Sequence, residues 1–212
     1  MDDRIKVNKY VLGPVQTNCY VVINQETKET LFIDPADKPA MFGSEIRKEG
    51  LVPAAILLTH GHFDHIMAVN ELRDEFHMPV YAHEDEKEIL QNGKLNCSSM
   101  LGYCTPYLTH ADIYVKDGQE LELAGFRIRV FHTPGHTKGG CCYYFPDEGV
   151  VFAGDTLFAG SIGRTDFPTG SMSELIRGVR EKLFVLPDDT LVCPGHMHET
   201  TIGHEKQYNP FF

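Results

Sequence analysis

Four potential metal ligands fall within six residues of this chain, in Thr59-His60-Gly61-His62-Phe63-Asp64-His65. Imidazole nitrogens and a carboxylate suit zinc, and also iron or manganese at the harder end. One tetrahedral ion cannot readily take all four from so tight a loop. The spacing therefore predicts two neighbouring ions, with His60 and His62 on one and Asp64 and His65 on the other. A lone H-x-H would be weak, because short motifs recur by chance. Four donors of suitable kinds at one strand end are a stronger signal. The apolar run Ala54-Ala55-Ile56-Leu57-Leu58 just before them reads as a buried strand. Its end fixes the turn that gathers the side chains.

Three further candidates stand at strand ends. His136 lies in Thr133-Pro134-Gly135-His136-Thr137, after a strand over 126–131. Asp155 follows Val150-Val151-Phe152-Ala153-Gly154, and His196 follows Thr190-Leu191-Val192-Cys193-Pro194-Gly195. His77, His83, His110, His132, His198 and His204 read as surface or satisfied core residues. His132 and His198 are excluded although they lie close to ligand positions.

The elements that must hold these side chains recur. Strands over 7–12, 18–23 and 30–35 precede a helix over 40–49 that Gly50 stops. A helical pattern runs from His65 to Phe76, with Ile66, Val69, Leu72 and Phe76 on one face. A short strand at 79–82 and a charged, exposed helix at 84–91 follow. Residues 92–110 show no period, which suits either a lid or a packed loop. Strands over 119–123, 126–131, 140–145 and 150–155 lead into a Gly-rich loop from Phe158 to Gly170. Ser171-Met172-Ser173-Glu174 reads as a capping box for a helix reaching Leu186. Each half thus reads hairpin, Asp at a strand end, helix, then strand into His. Asp34 and His60 match Asp155 and His196. Two similar halves are expected, with sheets face to face, helices outside and strand ends meeting at one edge.

The whole chain sets bounds on function. Its 212 residues suit a single domain, 1–212, with ample core. A formal net charge of −11 argues against nucleic acid as a partner, since phosphate binding needs a basic face. No apolar run is long enough to span a membrane, and Met1-Asp2-Asp3-Arg4 does not open a signal peptide. A cytoplasmic protein is expected; oligomeric state is not legible. The six cysteines form no C-x-x-C pair and read as small buried residues. Among them Cys193 stands beside a candidate site.

The run H-x-H-x-D-H at 60–65, followed by His136, Asp155 and His196, resembles the metallo-β-lactamase superfamily of metal-dependent hydrolases across essentially the whole chain. The resemblance implies an α/β fold of the four-layer αββα sandwich type. It also implies the ligand sets: His60, His62 and His136 on one ion, Asp64, His65 and His196 on the other, and Asp155 bridging. The cofactors implied are two divalent metal ions, zinc (Zn2+) by default with iron or manganese compatible. Two such ions roughly 3.5–4 Å apart can hold a bridging hydroxide for attack on an ester or thioester carbonyl. Asp64 is also a candidate to orient it, and Asp34, Thr59 or Thr137 to hold the ligand rings.

The segment from Gly154 to Pro168 and the ending after Gly195 resemble the short glyoxalase II-like branch, the hydroxyacylglutathione hydrolases. That implies a small-molecule thioester substrate such as S-lactoylglutathione, with Arg164 as a substrate-binding candidate. The sequence departs from that branch at Asp166, where an aromatic is expected, and at Met197-His198-Glu199, where a tyrosine is. It also ends at Phe212, without the basic helical extension of longer members. The alternatives are a persulfide dioxygenase with a single iron, which resembles this chain in Gly163-Arg164-Thr165-Asp166-Phe167, and a non-enzymatic binding module.

Overall fold

The computed structural model describes residues 4–101 and 106–212. Two six-stranded sheets organise them. The first runs, in spatial order, β1 (Ile5–Leu12), β2 (Thr17–Asn24), β3 (Glu29–Ile33), β4 (Val52–Leu57), β5 (Val80–His83) and β6 (Ile113–Val115). The second runs β7 (Glu120–Leu123), β8 (Phe126–His132), β9 (Cys141–Phe145), β10 (Val150–Gly154), then β13 (Leu191–Pro194) and β14 (Thr200–Thr201). A small hairpin, β11 (Leu157–Phe158) with β12 (Ser161–Ile162), lies between β10 and β13 in the chain.

The central strands β2, β9 and β10 are buried along their length because both faces are covered, while β7 and β8 alternate buried and exposed residues. Alternation along each strand divides them. Tyr20, Val22, Leu57, Cys141, Tyr143 and Phe152 form one core with residues of both sheets. Their neighbours Val21, Ile56 and Leu58 pack instead with Phe42, Ile46 and Leu72 of α1 (Pro39–Glu49) and α3 (Val69–Phe76). On the far side Cys142, Tyr144 and Val151 pack with Leu175, Val179 and Leu183. Those residues come from α5 (Met172–Gly178) and the π-helical turn Val179–Leu183 that extends it. The layers are therefore helix, sheet, sheet, helix.

The two halves are built alike. β2 and β3 pair antiparallel, and α1 carries the chain to β4, parallel to β3. β9 and β10 pair antiparallel, and α5 carries the chain to β13, parallel to β10. Gly50 ends α1 at φ 63°, as expected.

Several local expectations fail. The segment after His65 is broken: α2 (Phe63–Ile66) stops before α3, with Ala68 between them outside helical geometry. Ser171 makes no side-chain cap, so no capping box forms. The charged stretch at 84–91 is not an exposed helix. It is a 3-10 turn, Glu84–Glu86, followed by α4 (Lys87–Leu90), with Glu86, Ile89 and Leu90 buried. The chain ends with β14 and α6 (Ile202–Tyr208), for which no expectation was made. Cys193 lies in the core between the sheets, and burial pushes its thiol pKa well up, so it is an inert packing residue. Cys104 and Tyr103 lie outside the described residues.

Candidate metal centre

All seven predicted donors meet at one edge of the sandwich, at the ends of β4, β8, β10 and β13. His60, His62 and His136 offer ligand atoms within 4.8 Å of one another, and so do Asp64, His65 and His196. Asp155 stands between the two triads. Its Oδ2 is 3.4 Å from His136 Nε2 and 3.5 Å from His196 Nε2, and its Oδ1 is 3.5 Å from His65 Nε2. The first-triad rings stand almost mutually perpendicular, at 87°, 81° and 88°. In-plane lone pairs of rings so placed can converge on one point.

Which nitrogen faces inward is set by what the other holds. Asp34 is the hub. It accepts from the Thr59 N–H at 2.8 Å, from the Thr59 hydroxyl at 2.6 Å and from His65 Nδ1 at 2.9 Å. With its hydroxyl hydrogen given to Asp34, Thr59 Oγ1 accepts from His60 Nδ1 at 3.1 Å. His136 Nδ1 donates to the Arg164 carbonyl at 2.7 Å. Nε2 of His60, His65 and His136 is thus the nitrogen turned into the site, and His62 turns its Nδ1 there, 2.8 Å from His136 Nε2. Asp34 holds φ 49°, a left-handed conformation that Asp tolerates better than most residues. Thr17 donates its hydroxyl to Asp64 Oδ2 at 2.6 Å. Thr17 was missed by sequence reading, because nothing in a hairpin threonine marks it.

These atoms fit a cation. His60 Nε2, His65 Nε2 and Asp155 Oδ1 are buried without a hydrogen-bond partner, a cost that ligation removes. Burial and neighbouring rings push the pKa of His60 and His62 well down, which keeps them neutral and able to ligate. Burial works against charge on Asp64 and His65, but their mutual attraction wins. Asp64 is held below the usual carboxylate range, and His65 is raised to about 10 by Asp64, Asp155 and Asp34.

The two halves are tied at this edge. The Asn18 side chain donates to the carbonyls of Pro194 and Met197, both at 2.9 Å, fixing the loop that carries His196. The Cys141 N–H and the Tyr143 hydroxyl donate to Thr59 and Leu58 carbonyls at 2.8 and 2.9 Å. Gly195 has no room for a side chain, since a Cβ there would lie 2.3 Å from Asp155 Oδ1.

A cavity of about 300 Å³ opens over the donors. Val15, Phe63, Phe158, Phe167 and Cys97 give it an apolar wall, and Arg164 sits on its rim. Arg164 is committed to Asp166 through two bonds of 2.9 and 2.8 Å, and lies over the Phe167 ring at 4.3 Å. Asn96 anchors the irregular segment by donating to the Tyr107 carbonyl, and its own carbonyl accepts from Phe63 N–H. The described part of that segment thus packs on α2 and lends Cys97 to the wall. Thr137 does not hydrogen-bond a ligand ring among the described residues. Its hydroxyl donates to Glu86 instead. A larger hollow of about 520 Å³, along Ala159 and 198–204, contains none of the seven donors.

An αββα sandwich with seven His and Asp donors at the edge between its sheets defines a class of metalloproteins. The chain belongs to the metallo-beta-lactamase superfamily, whose sequence profile matches residues 12–196. It is 40% identical over 207 residues to a probable metallo-hydrolase, YqgX, of Bacillus subtilis, covering 98% of this chain and 97% of that one. It is 35% identical over 202 residues to the hydroxyacylglutathione hydrolase GloC of Haemophilus influenzae, covering 92% of each. Among solved structures, the BLEG-1 B3 metallo-beta-lactamase matches with TM-score 0.92 and 42% identity, over 97% of this chain and 99% of that one. TTHA1623 in a di-iron-bound form matches with TM-score 0.86 and 36% identity, over 97% and 100%. ETHE1 from Myxococcus xanthus matches with TM-score 0.79 and 29% identity, over 97% and 83%.

Proposed function

We propose that this chain is a metal-dependent hydrolase that cleaves a small thioester. Asp155, within 3.5 Å of one or more rings of each triad, is the observation that carries the reading. His60, His62 and His136 would hold one divalent ion, and Asp64, His65 and His196 the second, with Asp155 shared. When bound, such ions lower the pKa of water to about 7 and polarise a carbonyl oxygen. Zinc is the default, and the di-iron form of TTHA1623 keeps iron open.

The protein's own part is orientation and exclusion of water. Thr17 donates to Asp64 Oδ2, which stands 3.4 Å from both His65 Nε2 and His196 Nε2, and so fixes that carboxylate toward the second triad. Val15, Phe63, Phe158 and Phe167 suit the carbon chains on either side of a thioester. Arg164 is a cation lining the cavity, and a substrate carboxylate would compete with Asp166 for it. The relative GloC favours a glutathione thioester; the Arg164–Asp166 pair favours one with less charge.

Persulfide oxidation at a single iron is the second reading, favoured by the likeness to ETHE1. It needs His60, His62 and one of His136 or Asp155, and leaves the second triad without a role. Zinc-loaded and iron-loaded protein should be assayed with S-lactoylglutathione, an uncharged lactoyl thioester, a chromogenic β-lactam and glutathione persulfide. Thioester turnover lost in Asp64→Ala supports the proposal. Oxygen uptake with persulfide and no thioester turnover would replace it with the second reading, and β-lactam cleavage alone would change the substrate class.

A further inference from the structure

Glu86 is fully buried, yet it belongs to neither triad. Its Oε2 accepts the Gly61 N–H at 2.8 Å, and its Oε1 accepts the Gly139 N–H at 3.0 Å and the Thr137 hydroxyl. Gly61 lies between His60 and His62. Thr137 and Gly139 belong to the loop that carries His136. These loops leave different sheets, one after β4 and the other between β8 and β9. Glu86 comes from a third place, the turn after β5. Both loops are cut back to backbone around it. A Cβ on Gly61 would stand 2.8 Å from Oε2, and one on Gly139 would stand 2.5 Å from the Glu86 nitrogen.

We propose that Glu86 is a positioning residue for the first triad, clamping the two loops so that His62 and His136 present their nitrogens 2.8 Å apart. The proposal rests on the reading of His60, His62 and His136 as metal ligands. A simple packing role fits poorly. A lone buried carboxylate costs stability, and burial raises this one to about 7 despite three donors. An apolar side chain would fill the space without that cost. The carboxyl does what such a side chain cannot: one oxygen accepts from the loop of His62 while the other accepts from the loop of His136. The parallel Lys138–Glu88 pair at 3.0 Å is exposed and contributes little to the clamp.

The test is competitive zinc titration of the full chain against a chromophoric chelator, with bound metal counted by mass spectrometry. In the His196→Ala background only the first triad is complete, and in His62→Ala only the second. Glu86→Gln should weaken zinc in the first background by about 10–100-fold, the usual cost of losing an outer partner, and change the second by less than about two-fold. Thr137→Val removes one donor without touching the carboxyl, and should weaken the first background by about three-fold, the size of one lost hydrogen bond. It decides the matter if Glu86→Gln fails to fold. Unchanged zinc affinity in the first background overturns the clamp, even if melting temperature falls. Equal weakening in both backgrounds also overturns it, since that marks a general loss of structure. A parent chain that binds no metal overturns the ligand reading itself.

Discussion

His83, Asp85 and His132 bring two imidazoles and a carboxylate within 4.8 Å of one another, as do Asp64, His65 and His196. The groups differ in how their nitrogens are aimed. The His83 and His132 rings stack at 3.9 Å and 10°, so their lone pairs run parallel and cannot converge on an ion. His65 and His196 stand at 83°. The stacked pair is also satisfied: His83 Nδ1 accepts from the Asp85 N–H at 3.3 Å, and His132 Nε2 donates to the Lys138 carbonyl at 2.8 Å. At the edge of the sandwich His60 and His65 each keep Nε2 buried without a partner. Donor type and proximity are common to both groups. Convergence and unmet hydrogen-bonding capacity separate them.

The largest effect should come from removing a donor that converges. His62→Ala leaves the first position only His60, His136 and the shared Asp155, and a set one imidazole short holds an ion poorly against competing chelators. We expect loss of one metal equivalent by mass spectrometry and a fall in thioester turnover well beyond the roughly 10–100-fold that an outer partner costs. Two retained equivalents would erase the contrast between the clusters.

Next is Asp34→Asn. Asp34 serves His65 directly and His60 through Thr59, so it touches both triads. An amide cannot accept from both Thr59 groups and the ring as the carboxylate does. Zinc affinity should fall by about 10–100-fold at both sites. Glu86→Gln should reach only one, and titration in the two single-triad backgrounds separates them.

Why Asp34 was visible in the sequence and Glu86 was not follows from their settings. Asp34, like Asp155, ends a strand in a repeated pattern of hairpin, Asp, helix, strand and His. That repeat made the αββα layers and the seven donors legible, because apolar runs that end in turn residues are local signals. Glu86 sits among Glu84, Asp85, Lys87 and Glu88, where charge density suggests solvent. Only the loops folded over it, with Gly61 and Gly139 making room, turn it inward. Thr17 was hidden for the same reason, since its partner Asp64 is 47 residues away. The false capping box at Ser171 shows the converse: the spacing was right, but Ser171 is held by its N–H donating to the Gly135 carbonyl at 2.8 Å.

A smaller effect concerns pH. Burial first, then the stacked His132, lowers the His83 pKa to about 4, against the raising influence of Asp85, Glu84 and Asp117. The folded ring therefore stays neutral where the unfolded one, near 6.5, takes up a proton. The contribution of His83 is complete above pH 6.5 and lost as pH falls towards 4. Each pH unit below 6.5 costs up to about 1.4 kcal/mol, so the loss between pH 6.5 and pH 5 is about 2 kcal/mol. Chemical denaturation of His83→Gln and the parent chain at pH 7 and pH 5 should show a shallower decline for the variant. Parallel declines would mean that His83 takes up its proton as readily in the fold as in the unfolded chain.

The smallest effect sharpens the comparison most, because it asks for almost no change. His132→Asn removes one ring of the stacked pair and the Nε2 bond to Lys138, while the backbone N–H of residue 132 keeps its bond to Asp117. Loss of one half-exposed hydrogen bond should cost about 0.5–1.5 kcal/mol. His136 is four residues away, but its ring is held by the Arg164 carbonyl and its loop by Glu86, neither of which the substitution touches. Metal content should stay at the parent value, and turnover within about two-fold, since no outer partner of a ligand is lost. A lost equivalent of metal in His132→Asn would mean that the stacked rings swing apart to ligate. The chain would then hold a third ion, and parallel lone pairs would no longer be grounds for setting such a cluster aside.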